Sequence, residues 1–235
     1  MILVGIAVIC LALWGGLYGV NNISFRGDEA FSAQLDSALK KARGWVSTHR
    51  EQIQAGRNIA LIRMFQDADG LHGDELYASF VEEFLKAPVK PTCWKRLLEK
   101  DRPISEFRLN EAIRTETLDN KWILYAIAPK EGQLTQEEME GLLDSKRWSD
   151  RKLTHQLWAL IHLRERDSAE NKYEKLIAEL CERISSEQRK SVAVVDIYIQ
   201  QTAFVLMAGH PERINRRWIE RIIDHQEPDG GWNDR

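Results

Sequence analysis

The chain has 235 residues, 33 Lys and Arg against 36 Asp and Glu, a formal charge of −3 and 43% hydrophobic residues. That balance excludes a disordered polymer and a polytopic membrane protein, and it offers no concentrated basic surface for nucleic acid. The length suits one domain of roughly 200 residues with a sizeable core.

The first twenty residues carry no charge, and every charged residue follows Asn22. At about 1.5 Å per helical residue, such a run spans the roughly 30 Å of a bilayer's hydrocarbon. Residues 1–22 therefore read as a single transmembrane helix. No Lys or Arg opens the run, and Leu17-Tyr18-Gly19 is a poor cleavage site, so an uncleaved anchor fits better than a secretory signal. Trp14 and Tyr18 suit one membrane interface. The expectation is a single-pass membrane protein whose soluble domain is extracytoplasmic (periplasmic), as in anchored bacterial envelope proteins. Arg26 and Lys40 after the span favour the opposite side. Cys10 lies within the run, and Cys93 and Cys181 are too few and too far apart for a metal framework.

Residues 27–235 read as a second domain, and helical periodicity dominates it. Phe31, Leu35, Ala38, Leu39, Ala42, Trp45 and Val46 share one face. Further helices are predicted at about 56–66, 74–86, 92–99, 107–115, 119–128, 135–144, 150–164, 168–184, 190–208 and 211–225. All six prolines fall at the proposed boundaries. The one β-leaning run, Val192 to Val195, continues in helical register. The helix at 168–184 buries Tyr173, Leu176, Ile177 and Leu180, whereas that at 190–208 is apolar nearly all round, as expected of one covered on several sides. Short connections make neighbours antiparallel. Outer and inner helices alternating in this way describe either an open solenoid or a closed α/α ring.

The chain closes on Gln226-Glu227-Pro228-Asp229-Gly230-Gly231-Trp232. Pro228 stops a helix and Asp229-Gly230-Gly231 permits a tight turn. Gln226 can bond across the turn and Trp232 can pack over it. These residues resemble the QW repeat of the squalene cyclase and prenyltransferase α/α-toroid superfamily, which implies an α/α-toroid-like array of helical hairpins behind the anchor. Gln66-Asp67-Ala68-Asp69-Gly70 resembles a degraded second copy, departing from the pattern at Leu71 and His72. The same run reads as a solvated turn rather than a Ca²⁺ loop, because the distal Glu of such a loop is missing. The resemblance carries no activity. The acid tetrad of alkene-protonating cyclases, the Asp-rich motif of diphosphate ionisation and the thioester sequence of related proteins are all absent, and Tyr198 stands where the zinc-ligand Cys of prenyltransferases would follow Asp196.

Chemistry has one candidate location. His155, Trp158 and His162 share a face at i, i+3, i+7. Asp196, within an apolar stretch, requires a partner or a cavity, and Tyr198 and Gln200 lie beside it. In a toroid these residues face the central cavity, where His155 and Asp196 serve as base, acid or orienting pair and Trp158, His162, Tyr198 and Gln200 as binding residues. A structural role for them stays open. The eight tryptophans are spaced as core, and Arg213, Arg216, Arg217 and Arg221 beside Glu212 and Glu220 read as a solvated basic face. The functional expectation is a membrane-anchored toroid-like binding or scaffold domain for a lipid-linked, glycan or peptide ligand. The alternative is a prenyl/terpenoid- or glycan-handling enzyme using His155 and Asp196. No cofactor or metal is named by the sequence, and no nucleic-acid partner is expected.

Overall fold

In a computed structural model of the chain, the described residues are 19–24, 26–56, 58–72, 75–88, 92–148, 152–166 and 172–232. Among them every regular element is helical. The helices are α1 (Asp28–Thr48), α2 (Arg50–Gly56), α3 (Ile59–His72), α4 (Glu75–Lys86), α5 (Glu106–Thr115), α6 (Leu118–Ile127), α7 (Gln136–Leu143), α8 (Leu153–Arg166), α9 (Glu174–Lys190), α10 (Asp196–Met207) and α11 (Arg216–Asp224). Short 3₁₀ segments lie at Thr92–Leu97, Ser145–Arg147 and Pro211–Arg213.

The chain divides into two compact units. One gathers the described residues within Met1–Trp45 and Ala178–Arg235, and the other is Val46–Ile177. The continuous unit has a conventional apolar core. Phe80, Leu97, Leu109, Ile113, Trp122, Leu124, Ile127, Leu142, Leu157 and Leu160 are each at most 2% exposed. Its helices start where the sequence supplies caps: Ser105 accepts from the Arg108 amide, and Thr135 forms a reciprocal capping box with Glu138. Helix α6 packs along α8, and α3 along α4. Helix α8 is the most enclosed element, with every residue from Leu153 to Leu163 buried except His155.

The discontinuous unit brings together residues nearly 200 positions apart. Residues 19–22 form a helical turn, and Asn21 is 1% exposed. Asn21 Nδ2 donates to the Gln188 carbonyl at 2.7 Å, and its Oδ1 accepts from the Tyr198 hydroxyl at 2.8 Å and from Arg221. Asn215 Nδ2 donates to the Asn22 carbonyl at 2.7 Å, and Arg217 Nε to that of Val20 at 2.9 Å. Glu220, fully buried, lies 3.2 Å from both the Arg216 and Arg217 guanidinium groups and accepts from Ser24 Oγ at 2.5 Å. Arg216 also stacks over Phe31, 4.3 Å from the ring centroid.

These findings correct several expectations. The transmembrane helix, and with it the single-pass, periplasm-facing location, is not sustained: among the described residues no helix is long and apolar enough to cross a membrane. Residues 1–18, which carry most of that expectation, lie outside the described residues. The end of the expected 1–22 span is committed elsewhere, because the Asn21 and Asn22 side chains and the Val20 carbonyl bond to α11 and its neighbours. The basic face is solvated only at its Glu212–Arg213 end, 60% and 38% exposed. Arg221 is 6% exposed and Glu220 fully buried, since the carboxylate neutralises two arginines inside the network.

The apolar character of α10 does not make it an enclosed helix. It starts only at Asp196 after an irregular stretch at 191–195, and Ile197 and Leu206 remain exposed. Gln66-Asp67-Ala68-Asp69-Gly70 forms no turn and lies within α3. Of the described tryptophans, Trp94, Trp122, Trp148, Trp158 and Trp218 are core, as the spacing suggested.

Candidate functional site

The closing turn adopts the shape its residues dictate. Gly230 has φ +99°, and a Cβ on it would stand 2.2 Å from the Lys41 carbonyl oxygen of α1. A Cβ on Gly231 would meet the Trp45 indole at 2.6 Å. Both glycines are therefore required by close approach to α1. Gln226 Nε2 donates to the Gly230 carbonyl at 3.0 Å, as expected across the turn, and also to the Ala38 carbonyl at 2.9 Å. Asp229 Oδ1 accepts from the Gly231 amide at 3.0 Å, and Trp232 Nε1 donates to the Ile222 carbonyl at 2.8 Å, capping α11. The motif is thus a clasp between α11 and α1.

His155, Trp158 and His162 lie on α8 as the spacing implied, but in different settings. His155 is half-buried, its Nδ1 3.5 Å from Thr154 Oγ1. Trp158 and His162 are core residues, 3% and 1% exposed, with ring centroids 5.4 Å apart. His162 Nδ1 is 3.2 Å from Glu165 Oε2, and its Nε2 is buried with no hydrogen-bond partner. Burial holds the His162 pKa below its ordinary value against the opposing pull of Glu165. Burial alone would raise Glu165, yet His162, Arg63 and Arg166 hold it below the usual carboxylate range.

Asp196, Tyr198 and Gln200 belong to the other unit. Asp196 is exposed at the first turn of α10, where a carboxylate suits the helix dipole, and accepts from Gln200 Nε2 at 2.5 Å. The cost of burial inferred from its apolar neighbours does not arise, because the helix begins at this residue. Tyr198 is fully buried, its hydroxyl given to Asn21 and its ring 5.2 Å from the Arg221 guanidinium carbon. His155 and Asp196 thus sit on different units, each with a partner in its own element.

A polar cluster that the sequence did not single out surrounds Glu165. Arg63 Nε bonds Asp67 at 3.0 Å, its Nη1 donates to the Leu97 carbonyl at 2.8 Å, and its Nη2 lies 3.5 Å from Glu165. Arg166 Nη2 donates to the Arg96 carbonyl at 2.7 Å and its Nη1 to that of Lys100 at 3.0 Å. Arg96 in turn pairs with Glu131 at 3.2 Å.

No family model matches the chain, and neither does any curated protein or solved structure.

What the site can do follows from its own groups. Among the described residues no three His, Cys, Asp or Glu side chains gather closely enough to hold a metal ion. Cys93 and Cys181 are buried thiols, and burial pushes Cys93 up to about 11, so it is a poor nucleophile. The only signal of the arginine cluster in the sequence was the i, i+4 pair Arg63 and Asp67. The joining of Arg96 and Arg166, 70 residues apart, has no local signature.

Proposed function

We propose that this chain is a helical binding or scaffold domain of the α/α type, with a peptide as its partner. The carrying observation is the distribution of exposed apolar side chains. Among the described residues, Val20, Ile23, Leu39, Val192, Ile197, Leu206 and Trp232 are exposed large hydrophobics of the discontinuous unit, and Phe107 is the one in the other. Exposed apolar side chains mark an interaction surface where they adjoin one another, and Val192, Ile197 and Leu206 lie within one stretch of fifteen residues. Aliphatic Val192, Ile197 and Leu206 suit the side chains of a peptide better than a glycan, which aromatic platforms hold, or a lipid-linked group, which needs an enclosed apolar cavity. The resemblance of Gln226–Trp232 to the QW repeat supports reading the hairpins as toroid-like, with the clasp as a structural element.

The alternative reading, a prenyl/terpenoid- or glycan-handling enzyme using His155 and Asp196, draws less support. Asp196 pairs with Gln200 one turn on, and Tyr198 gives its hydroxyl to Asn21. Two measurements test the choice. Selection of a displayed peptide library on the full chain is expected to enrich apolar peptides whose affinity drops at least tenfold with Ile197→Glu; no enrichment, or no loss, refutes the binding reading. Farnesyl diphosphate and a chitin oligomer are expected to remain unconverted. Turnover abolished by His155→Ala would establish the enzyme instead.

A further inference from the structure

Helix α1 has 21 residues and an apolar stripe along its length, yet Ala38 is the only one of its residues that is buried. The clasp covers that point: Gln226 Nε2 donates to the Ala38 carbonyl, and Gly230 lies against the Lys41 carbonyl. Phe31 is covered by the Arg216 guanidinium. Beside the clasped strip, Leu35, Leu39 and Ala42 follow one another at i, i+4 and i+7 and form one ridge of the helix. Leu39, at the centre of the ridge, is 59% exposed, and Leu35 and Ala42 are half-buried. Asp36 and Arg43 are exposed and stand at i−3 and i+4 from Leu39, so they border it directly. Among the described residues no ion pair engages Asp36.

These positions are symmetric about Leu39. Leu35 and Ala42 are seven residues apart, as are Asp36 and Arg43, and Leu39 lies at the middle of both pairs to within half a residue. A ridge with that symmetry is complementary to a copy of itself running the other way. A two-fold axis beside Leu39 sets Leu39 against Leu39 of the second copy, Leu35 against Ala42, and Asp36 against Arg43, the last two pairs occurring twice. Parallel pairing would set Asp36 beside Asp36 and Arg43 beside Arg43, so the charges select the antiparallel arrangement. We propose that this face of α1 is a self-association surface whose occupant is α1 of a second copy of the chain, packed antiparallel about Leu39. The contact is one helix pair, smaller than a standard interface, so the dimer is reversible and forms only at high chain concentration. It uses residues 35–43 of the discontinuous unit and is independent of the peptide-binding reading, whose test residue Ile197 lies outside it.

Sedimentation velocity of the full chain between roughly 10 and 500 µM tests the assignment. The weight-average mass is expected to rise from 27.2 kDa toward twice that value. Leu39→Glu, Asp36→Arg and Arg43→Asp should each weaken association by about tenfold or more, with circular dichroism unchanged because all three side chains are exposed. Ser37→Arg, on the far side of α1, should leave association as it is. The charges supply the decisive arm. An equimolar mixture of Asp36→Arg and Arg43→Asp chains should dimerise, because every crossing pair is then opposite in sign, and the double variant should do the same. A chain that stays monomeric throughout, association undiminished by Leu39→Glu, or a mixture no more associated than either single variant would overturn the assignment.

Discussion

The two units solve the same problem with different materials. Val46–Ile177 is continuous and rests on aromatic and aliphatic side chains, with its buried polar groups dispersed: Lys95 bonds the Leu85 and Ala87 carbonyls, Asn110 that of Glu131 and Gln156 that of Gly141. The discontinuous unit must join both ends of the chain, and it does so through a polar clamp: Asn21, Gln188, Tyr198, Glu220 and Arg221, all nearly or fully buried. Closing a loop of well over a hundred residues costs chain entropy that grows only slowly with length, so the expense lies in specificity more than in distance. Hydrophobic burial is non-directional and does not fix which residues meet. Hydrogen bonds and ion pairs are directional, and here they select one register for residues 20–24 and 26–28 against α11.

The largest expected effect separates the two materials. Glu220→Ala leaves Arg216 and Arg217 without their shared buried carboxylate and should cost about 3 kcal/mol or more. Hydrogen exchange should show amides of α1 and α11 opening while those of α6 and α8 stay protected; equal loss in both units would break the distinction. Leu157→Ala, a cavity in the core of the other unit, should cost about 3 kcal/mol with the reverse pattern of exchange. Gly230→Ala puts a Cβ against the Lys41 carbonyl at positive φ, and about 2 kcal/mol is expected in urea denaturation, with α1 released from the clasp. An unchanged midpoint would show that the clasp does not hold α1.

The smallest effect is a pH dependence confined to the continuous unit. His162 is held below its ordinary pKa, so the unfolded chain binds its proton at a higher pH than the folded chain. Stability should therefore fall as pH drops below about 6.5, the unfolded value of His, with Glu165 adding its loss only further into the acid. Comparing urea midpoints at pH 7.5 and 5.5 checks this. His162→Gln should flatten the difference, and an unaltered slope would assign it to another group.

The legibility of the sequence differed between the units as their materials do. Periodic helices such as α5, α6 and α7 were readable because period and stop are local features. The stripe of α1 and the glycine turn at 229–231 were readable for the same reason. Charged residues misled where tertiary partners arrived. The basic face of α11 looked solvated because nothing local indicates that Ser24 and Asn21 bond Glu220 and Arg221. The apolar sequence of α10 suggested enclosure, yet composition states what a helix offers and not which neighbours cover it.

The sequence by itself determined that the described chain is helical, where α4 to α8 lie to within about three residues, that its described tryptophans belong mainly to the core, and that residues 226–232 make a tight glycine turn. Each of these depends on interactions within a few residues. Only the tertiary structure decided that the turn clasps α1, that Asn21 is buried against α9, α10 and α11, that Arg63 reaches Glu165, and that Arg166 reaches the Arg96 carbonyl. Those pairings join residues from 70 to 200 positions apart. They exist because desolvated polar groups must find partners wherever the packed chain supplies them.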